Sequence, residues 1–324
     1  MAENLLLSIC LPVFDREKLV RKTLHSVFSQ KNVDKYLYDF EVVISDNNPQ
    51  QVIRSVVEEF KYPNIHYHST NCDGFLNSFY AMTYANGEFI KLQNSQAMLT
   101  EGALERLIEQ LRLVRERKPI VFYSNGLLMN YKVCTCKSFD DFIKYTSYWT
   151  SWSNSTGIWK EDFDKIKGAV KLNKLFPHTS VLFTQSGKKE FIVDDRPITK
   201  TQKVPNRGGH NKFHAFSVEY PSLIDEQYQK GNISFSTKQH VLNKLSRELL
   251  PQLYFNVFVI KKENYDATGF EEDLKMYFPK LSITIIKIRS YFIPLKTLYR
   301  RLMLNISRCI FEMDNQRDSR DLKI

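Results

Sequence analysis

The feature that most constrains this chain is a repeated change of hydrophobic period over its first 120 residues. Residues 5–13 are an almost uninterrupted apolar run, the pattern of a strand buried on both faces. Residues 16–30 switch to a helical stripe of Leu19, Val20, Leu24, Val27 and Phe28, with Asp15 as the expected N-cap. The exchange then recurs. Residues 40–45 (FEVVIS), 65–68, 88–92 and 119–124 (PIVFYS) read as strands. The stripe Val52, Ile53, Val56, Val57, Phe60, the segment 75–84, and the stripe Leu104, Leu107, Ile108, Leu111, Val114 read as helices. Strands alternating with helices in this way predict an α/β fold, a mostly parallel sheet flanked by helices. Ligands of such sheets bind beyond the carboxyl ends of the strands. Asp15, Asp46, Asn71, Asp73, Asn94 and Gln96 all follow strand ends and are expected to share one crevice.

The stretch 87–99, GEFIKLQNSQAML, carries the most informative chemistry. Its apolar strand empties into the polar step Gln93-Asn94-Ser95-Gln96, and a helix is expected from near Thr100 with Glu101 in its first turn. Two carboxamides stand two residues apart where a phosphate-handling site would offer metal-binding carboxylates.

Composition narrows the class. At 324 residues with 43% apolar and 13% aromatic side chains, the chain can fill one large or two modest cores and is not mainly disordered. Its formal charge of +10, from 46 basic and 36 acidic residues, suggests an anionic partner: nucleotide phosphate, a lipid surface or nucleic acid. No nucleic-acid-binding motif is present, and nucleic acid is not expected. Five cysteines without repeated spacing suit free thiols. With no leader pattern and no apolar run of about 20 residues, the chain is expected to be cytoplasmic or on the inner face of the cytoplasmic membrane.

Past residue 133 the alternation breaks. Residues 145–159, YTSYWTSWSNSTGIW, hold all three tryptophans among Ser, Thr and Asn, which suits a sugar site or, equally, a loop covering the sheet. Pro177-His178 opens an apolar element, and 200–212 is a basic loop that closes over phosphates or is simply solvated. Residues 213–250 look helical. Residues 281–311 carry Lys287, Arg289, Lys296, Arg300, Arg301 and Arg308 with no acidic residue, and read as a basic amphipathic segment suited to a membrane surface or to packing on its own domain. Residues 314–324 are charged and expected to fray.

The first half resembles the family 2 glycosyltransferases of the GT-A fold. Ser8-Ile9-Cys10-Leu11-Pro12-Val13-Phe14-Asp15-Arg16 is similar to their opening strand and turn. Leu24-His25-Ser26-Val27-Phe28-Ser29-Gln30 is similar to their first helix, and Phe40-Glu41-Val42-Val43-Ile44-Ser45-Asp46-Asn47 to their second strand. Asn71 with Gly74, then Gly87-Glu88-Phe89-Ile90, complete the order over residues 5–110. The His178 segment and Gly208-Gly209…Phe213…Phe216 resemble the abequosyltransferase-like branch acting on bacterial capsule or O-antigen.

The resemblance implies inverting transfer from a nucleotide sugar, a UDP- or dTDP-sugar, to a hydroxyl of a saccharide linked to polyprenyl diphosphate. It implies that Pro12, Phe14 and Asp15 line the nucleoside pocket, that Asp46 accepts from the base, and that Glu41 holds that strand end. Asn71 and Asp73 would sit beside the nucleoside and ribose. The family's D-x-D metal motif falls on Asn94-Ser95-Gln96, where neutral groups make a poor Mg²⁺ or Mn²⁺ site. Three outcomes follow: transfer without metal, with charge offset by residues 200–212, Lys91 and helix amides; a weak metal held by the diphosphate; or an inactive scaffold subunit at the membrane. For the general base the candidates are Asp140, Asp141, Glu161, Asp162 and His178, with His178 and Asp162 favoured. The expected division is a GT-A domain at 1–215 (nucleotide-sugar half 1–125, acceptor half 126–215) and a helical region at 216–324 with the basic segment 281–311.

Overall fold

The computed structural model describes residues 5–204 and 208–295. In chain order the elements are β1 (Leu7–Val13), α1 (Glu17–Phe28), β2 (Phe40–Asp46), α2 (Arg54–Glu58), β3 (Ile65–Ser69), α3 (Asn77–Thr83), β4 (Phe89–Leu92), β5 (Ala97–Leu99), α4 (Ala103–Val114), β6 (Ile120–Tyr123), β7 (Val133–Cys136), α5 (Phe139–Thr146), β8 (Gly157–Trp159), α6 (Lys160–Ile166), α7 (Pro177–Phe183), β9 (Phe191–Asp194) and β10 (Thr199–Thr201). Then follow α8 (Lys212–His214), α9 (Tyr220–Gln229), α10 (Phe235–Lys244), α11 (Leu250–Tyr254), α12 (Phe270–Tyr277) and α13 (Ser282–Tyr291).

The main sheet has the order β3-β2-β1-β4-β8. Strands β1 to β4 run parallel, and β8 runs antiparallel to β4. Val13 pairs with Asp46 and Asp46 with Ser69, while Cys10 pairs with Leu92, so the carboxyl ends of four strands meet one edge. Every residue of β2 and β4 is buried, the apolar ones as strands covered on both faces require and Glu41, Asp46 and Lys91 along with them. One face packs α1 and α4 through Val20, Leu24, Leu104, Leu107 and Ile108; the other packs α3 through Phe79, Ala81 and Met82.

The opposite, amino-terminal edge is held by a buried carboxylate. Glu41 accepts from Ser8 Oγ (2.6 Å) and from the backbone N–H groups of Asn86 (2.6 Å) and Gly87 (3.3 Å), with His66 Nε2 at 3.3 Å. A side chain at Gly87 would stand 2.8 Å from the Leu7 backbone, which explains the glycine opening β4.

Two compact units emerge: 1–205 with 218–242, and 206–217 with 243–324. Residues 218–242 thus group with the first unit, whereas the sequence boundary at 215 assigned them to the second. Two local expectations also change. No helix begins at Thr100, because 97–99 pair with β10 and Gly102 takes φ 71°, so α4 starts at Ala103. Asp15 does not cap α1: Arg16 occupies the cap position with φ 72° and no side-chain bond. The basic loop at 200–212 loses its first residues to β10, and 205–207 lie outside the described residues, as do 296–311 of the basic segment and 314–324.

Removing the Glu41 carboxylate leaves buried donors without an acceptor. Glu41→Ala is expected to lower unfolding free energy by roughly 2–4 kcal/mol in a urea titration, with the folded variant's nucleotide affinity unchanged. Loss of nucleotide affinity at full stability would show Glu41 to be a ligand contact instead.

Candidate functional site

The carboxyl edge of β1, β2 and β4 brings together most of the residues expected there. Asp46 ends β2 with no exposed surface; it accepts from the Asn48 N–H (2.9 Å) and from Tyr67 Oη (2.8 Å). Burial and that bond push the Tyr67 phenol up to about 12. Asp46 therefore fixes the turn at 47–48 and the Tyr67 ring. The exposed groups around it are Phe14 and Asp15 after β1, and Asn71, Asp73 and Phe75 after β3, with Pro12 partly covered. Glu41 lies elsewhere. It stands five residues before Asp46, about 16 Å along the strand and at the other edge, so it belongs to the fold rather than the crevice.

Asn77 was not foreseen. Its buried carboxamide nitrogen lies 2.9 Å from Val13 O, 2.8 Å from Ser45 O and 3.0 Å from Asn47 Oδ1, and its oxygen accepts from Ser45 Oγ (2.6 Å). One side chain thus ties the ends of β1 and β2 to the turn that follows. Its sequence signal is a polar residue on the inward face of a helix.

The step at 93–96 is held from beneath by α1. Thr23 Oγ1 donates to Ser95 O (2.7 Å), the Leu99 N–H donates to Ser26 Oγ (2.9 Å), and Gln30 Nε2 donates to Thr100 O (3.0 Å). Gln202, just past β10, adds an N–H to Gln96 O (2.9 Å) and its side-chain amide to Thr23 Oγ1 (3.2 Å). On the open side, Asn94 Oδ1 accepts from Ser153 Oγ (2.7 Å) and the Asn94 N–H donates to Asn154 Oδ1 (3.0 Å). Asn154 Nδ2 continues to Thr199 Oγ1 (3.2 Å), and Asn125 Oδ1 receives the N–H groups of Ile198 (2.8 Å) and Thr199 (2.7 Å). The Gln96 side chain is half-buried and makes no hydrogen bond among the described residues.

Behind the step lies Lys91, on β4 and wholly buried. Its ammonium donates to Leu92 O (3.1 Å) and Asn154 O (3.2 Å), sits 5.5 Å from the Tyr123 ring centroid, and has no carboxylate within 4.0 Å among the described residues. Burial lowers it from 10.5 to about 7.

The acidic and aromatic residues of the second half are placed differently from expectation. Trp159 pairs with Phe89 at the amino-terminal end of β4, so α6, which follows it, lies at the edge away from the crevice. Asp162 on α6 pairs there with Lys188 (2.5 Å). The expectation that its segment faces the crevice fails on strand direction. His178 is buried, with Nε2 2.8 Å from Ser151 O; burial holds it neutral, down to about 4. It braces the 149–153 turn from inside and is not open to an acceptor hydroxyl. In the stretch 145–159, Trp159, Tyr148, Thr150, Asn154, Ser155 and Thr156 are core, which decides most of it for the covering-loop reading. Trp149 and Trp152 remain half-exposed next to Ser153. Asp195, also unforeseen, is a buried carboxylate accepting from Ser124 Oγ (2.7 Å) and from the N–H groups of Leu128 (3.1 Å), Asn130 (2.9 Å) and Tyr131 (3.1 Å). Its signal is an apolar run ending in acid, as at Asp46.

Among the described residues no three His, Cys, Asp or Glu side chains converge as a metal site. Two hollows of about 350 and 410 Å³ lie elsewhere, neither lined by a residue of this edge.

Residues 8–116 match the Glycosyl transferase family 2 profile, the span from β1 through α4 that builds this edge. Over that span, about a third of the chain, the sequence is that of a family 2 glycosyl transferase domain. The protein is an enzyme of the glycosyltransferase class. A comparison with curated proteins gives no match. Similar solved structures include S. aureus TarS 1-349 in complex with UDP-GlcNAc, at TM-score 0.60 and 15% identity over 96% of this chain and 92% of that one. TarS 1-349 alone gives 0.55 and 16% over 96% and 91%. A longer S. aureus TarS structure gives 0.53 and 15% over 94% and 53%. At these identities the likeness is one of fold, and the fold of the transferase is GT-A.

The buried Lys91 gives the transferase a readable pH signature. Between about 7 and 10.5 the unfolded chain binds a proton that the folded chain does not, so stability rises with pH across that window. Below pH 7 both states are protonated and the full cost of the buried ammonium is present. Lys91→Met is expected to flatten the slope and to stabilise the protein at pH 7 and below by a few kcal/mol, read by denaturant unfolding at a series of pH values. A slope that survives the substitution would remove Lys91 as its source.

Proposed function

We propose that the transferase moves a sugar from a UDP- or dTDP-sugar to a saccharide hydroxyl, with inversion and without a divalent cation. The observation that carries this reading is the chemistry at residues 94 and 96. A hard dication next to a diphosphate takes carboxylate oxygen. Here both side chains are neutral, and Asn94 Oδ1 already accepts from Ser153 Oγ. The donor set does not fit Mg²⁺ or Mn²⁺, and the D-x-D position is read as degenerate. The nucleoside would lie over Pro12, against Phe14, Asn71 and Asp73, on the turn that Asp46 and Asn77 hold. The diphosphate would lie over the step, where Asn94 and Gln96 offer amide N–H donors and the Lys91 amine lies beneath, its charged form favoured by the arriving anion.

The acceptor side is supported by the half-exposed Trp149 and Trp152 beside Ser153, faces on which a sugar ring can stack. With the basic segment 281–311, these features favour a saccharide carried on polyprenyl diphosphate, as in capsule or O-antigen assembly at the inner face of a bacterial membrane.

A thermal-shift panel of nucleotide sugars, each with Mn²⁺ and with EDTA, tests the reading. The matching donor is expected to stabilise the protein equally in both, by about 2.7 kcal/mol at roughly a hundredfold excess over Kd. Asn94→Asp with Gln96→Asp is expected to make that stabilisation Mn²⁺-dependent. A panel without any shift or donor hydrolysis would defeat the proposal, and a shift seen only with Mn²⁺ in the unaltered protein would defeat its metal clause.

A further inference from the structure

Residues 281–295, around α13, are apolar on two opposite sides. Ile286 and Ile293, with Ser282 and Ser290, are buried within the second unit, where α13 packs on α11. A globular helix with that much core-facing surface normally turns polar residues outward. This one does not. Leu281, Ile285, Ile288, Phe292 and Leu295, at steps of four and three, are 42–70% exposed, and Tyr291 beside them is 68% exposed. They form one stripe, in which Leu281 to Phe292 run about 16 Å along α13 and Leu295 lies just past its end.

At 100° per residue, Lys287 falls on one flank of the stripe and Arg289 on the other. Lys287 pairs with Glu271 (2.8 Å), and Arg289 Nε donates to Arg247 O (3.2 Å), so both are held beside the apolar surface rather than across it. Six basic residues and no acidic one lie between 281 and 311.

We infer that this stripe is a docking face for an anionic lipid bilayer, on which α13 lies flat with its apolar side chains in the headgroup–acyl boundary. Charge decides the occupant. Glu271 is already taken up by Lys287, and Arg289 pairs with no carboxylate among the described residues. A second copy of the stripe, or the following basic segment folded over it, would add basic groups to Arg289 and its neighbours, whereas anionic headgroups supply the opposite sign. No helix among the described residues is long and apolar enough to cross a membrane, so the contact is with a surface. The inference gives a physical form to the membrane clause of the proposed function but does not depend on donor chemistry.

Flotation of the full-length protein with phosphatidylcholine vesicles, neutral or containing roughly one third phosphatidylglycerol, tests it. Binding is expected only to the anionic vesicles, and to fall at high salt. The triple variant Leu281→Ser, Ile285→Ser, Ile288→Ser is expected to lose binding at least about tenfold, as is Arg289→Glu, while both keep the native melting transition and nucleotide-sugar binding in the absence of lipid. Equal flotation of the triple variant and the parent would overturn the inference, as would no flotation of the parent. So would a parent dimer that the triple variant abolishes without any vesicle binding, or binding that appears only after deletion of 296–324. Loss of nucleotide-sugar binding in the unaltered protein would strike the proposed function and leave the docking face standing.

Discussion

Two side chains on one face of α1, and a third just past its end, hold the backbone on which the whole site depends. After β4, the chain leaves the main sheet, and its N–H and C=O groups need partners that the main sheet no longer supplies. Thr23, Ser26 and Gln30, spaced three and four apart, meet Ser95, Leu99 and Thr100 in turn. A helix presents such positions on one line, so it can serve a strand-like segment running beside it. The short β5–β10 pair completes the arrangement. The Ser26 and Gln30 positions that mark the family resemblance therefore act on the shape of the step rather than on a ligand.

That shape is tuned for neutral side chains. Asn94 both donates from its backbone and accepts through its side chain in the network with Ser153 and Asn154. Under the proposed function, a carboxylate at 94 would still accept from Ser153 but would add negative charge beside the donor's diphosphate, and would call for a cation to offset it. The cation already present is Lys91, two hydrogen bonds away through Asn154 and fixed by two backbone carbonyls. Burial lowers its affinity for a proton, and an arriving anion would raise it again. Neutral amides above and a buried amine below are mutually consistent choices.

Much of this was legible in the sequence, for reasons that also set the limit. Buried parallel strands leave unbroken apolar runs, and helices leave stripes, so β1 to β4, β6, α1 and α4 could be read, together with the edge where Asp46, Asn94 and Gln96 meet. Three-residue strands have no period, which hid β5 and β10 and misplaced the start of α4. Composition does not say which way a hydroxyl points, so the Ser, Thr and Asn of 145–159 read as ligand groups although Thr150, Asn154, Ser155 and Thr156 are buried. Strand direction is invisible to periodicity. Only the antiparallel pairing of β8 reveals that Asp162 lies at the far edge.

The two carboxylates of β2 show why position on a strand matters more than residue type. Glu41 and Asp46 are both buried and both accept from backbone N–H groups. Glu41 meets the chain as it enters β4, where the sheet must be closed, and its partners are a loop and neighbouring strands. Asp46 meets the chain as it leaves β2, where the sheet opens, and its partners are a turn and a phenol that face the crevice. Each carboxylate stabilises the backbone around it, but only at the carboxyl edge does the ordered backbone border a place for a ligand. A buried acid at the edge that the helices enter is therefore an element of the fold, and the same acid at the edge they leave orders the backbone that borders the candidate site.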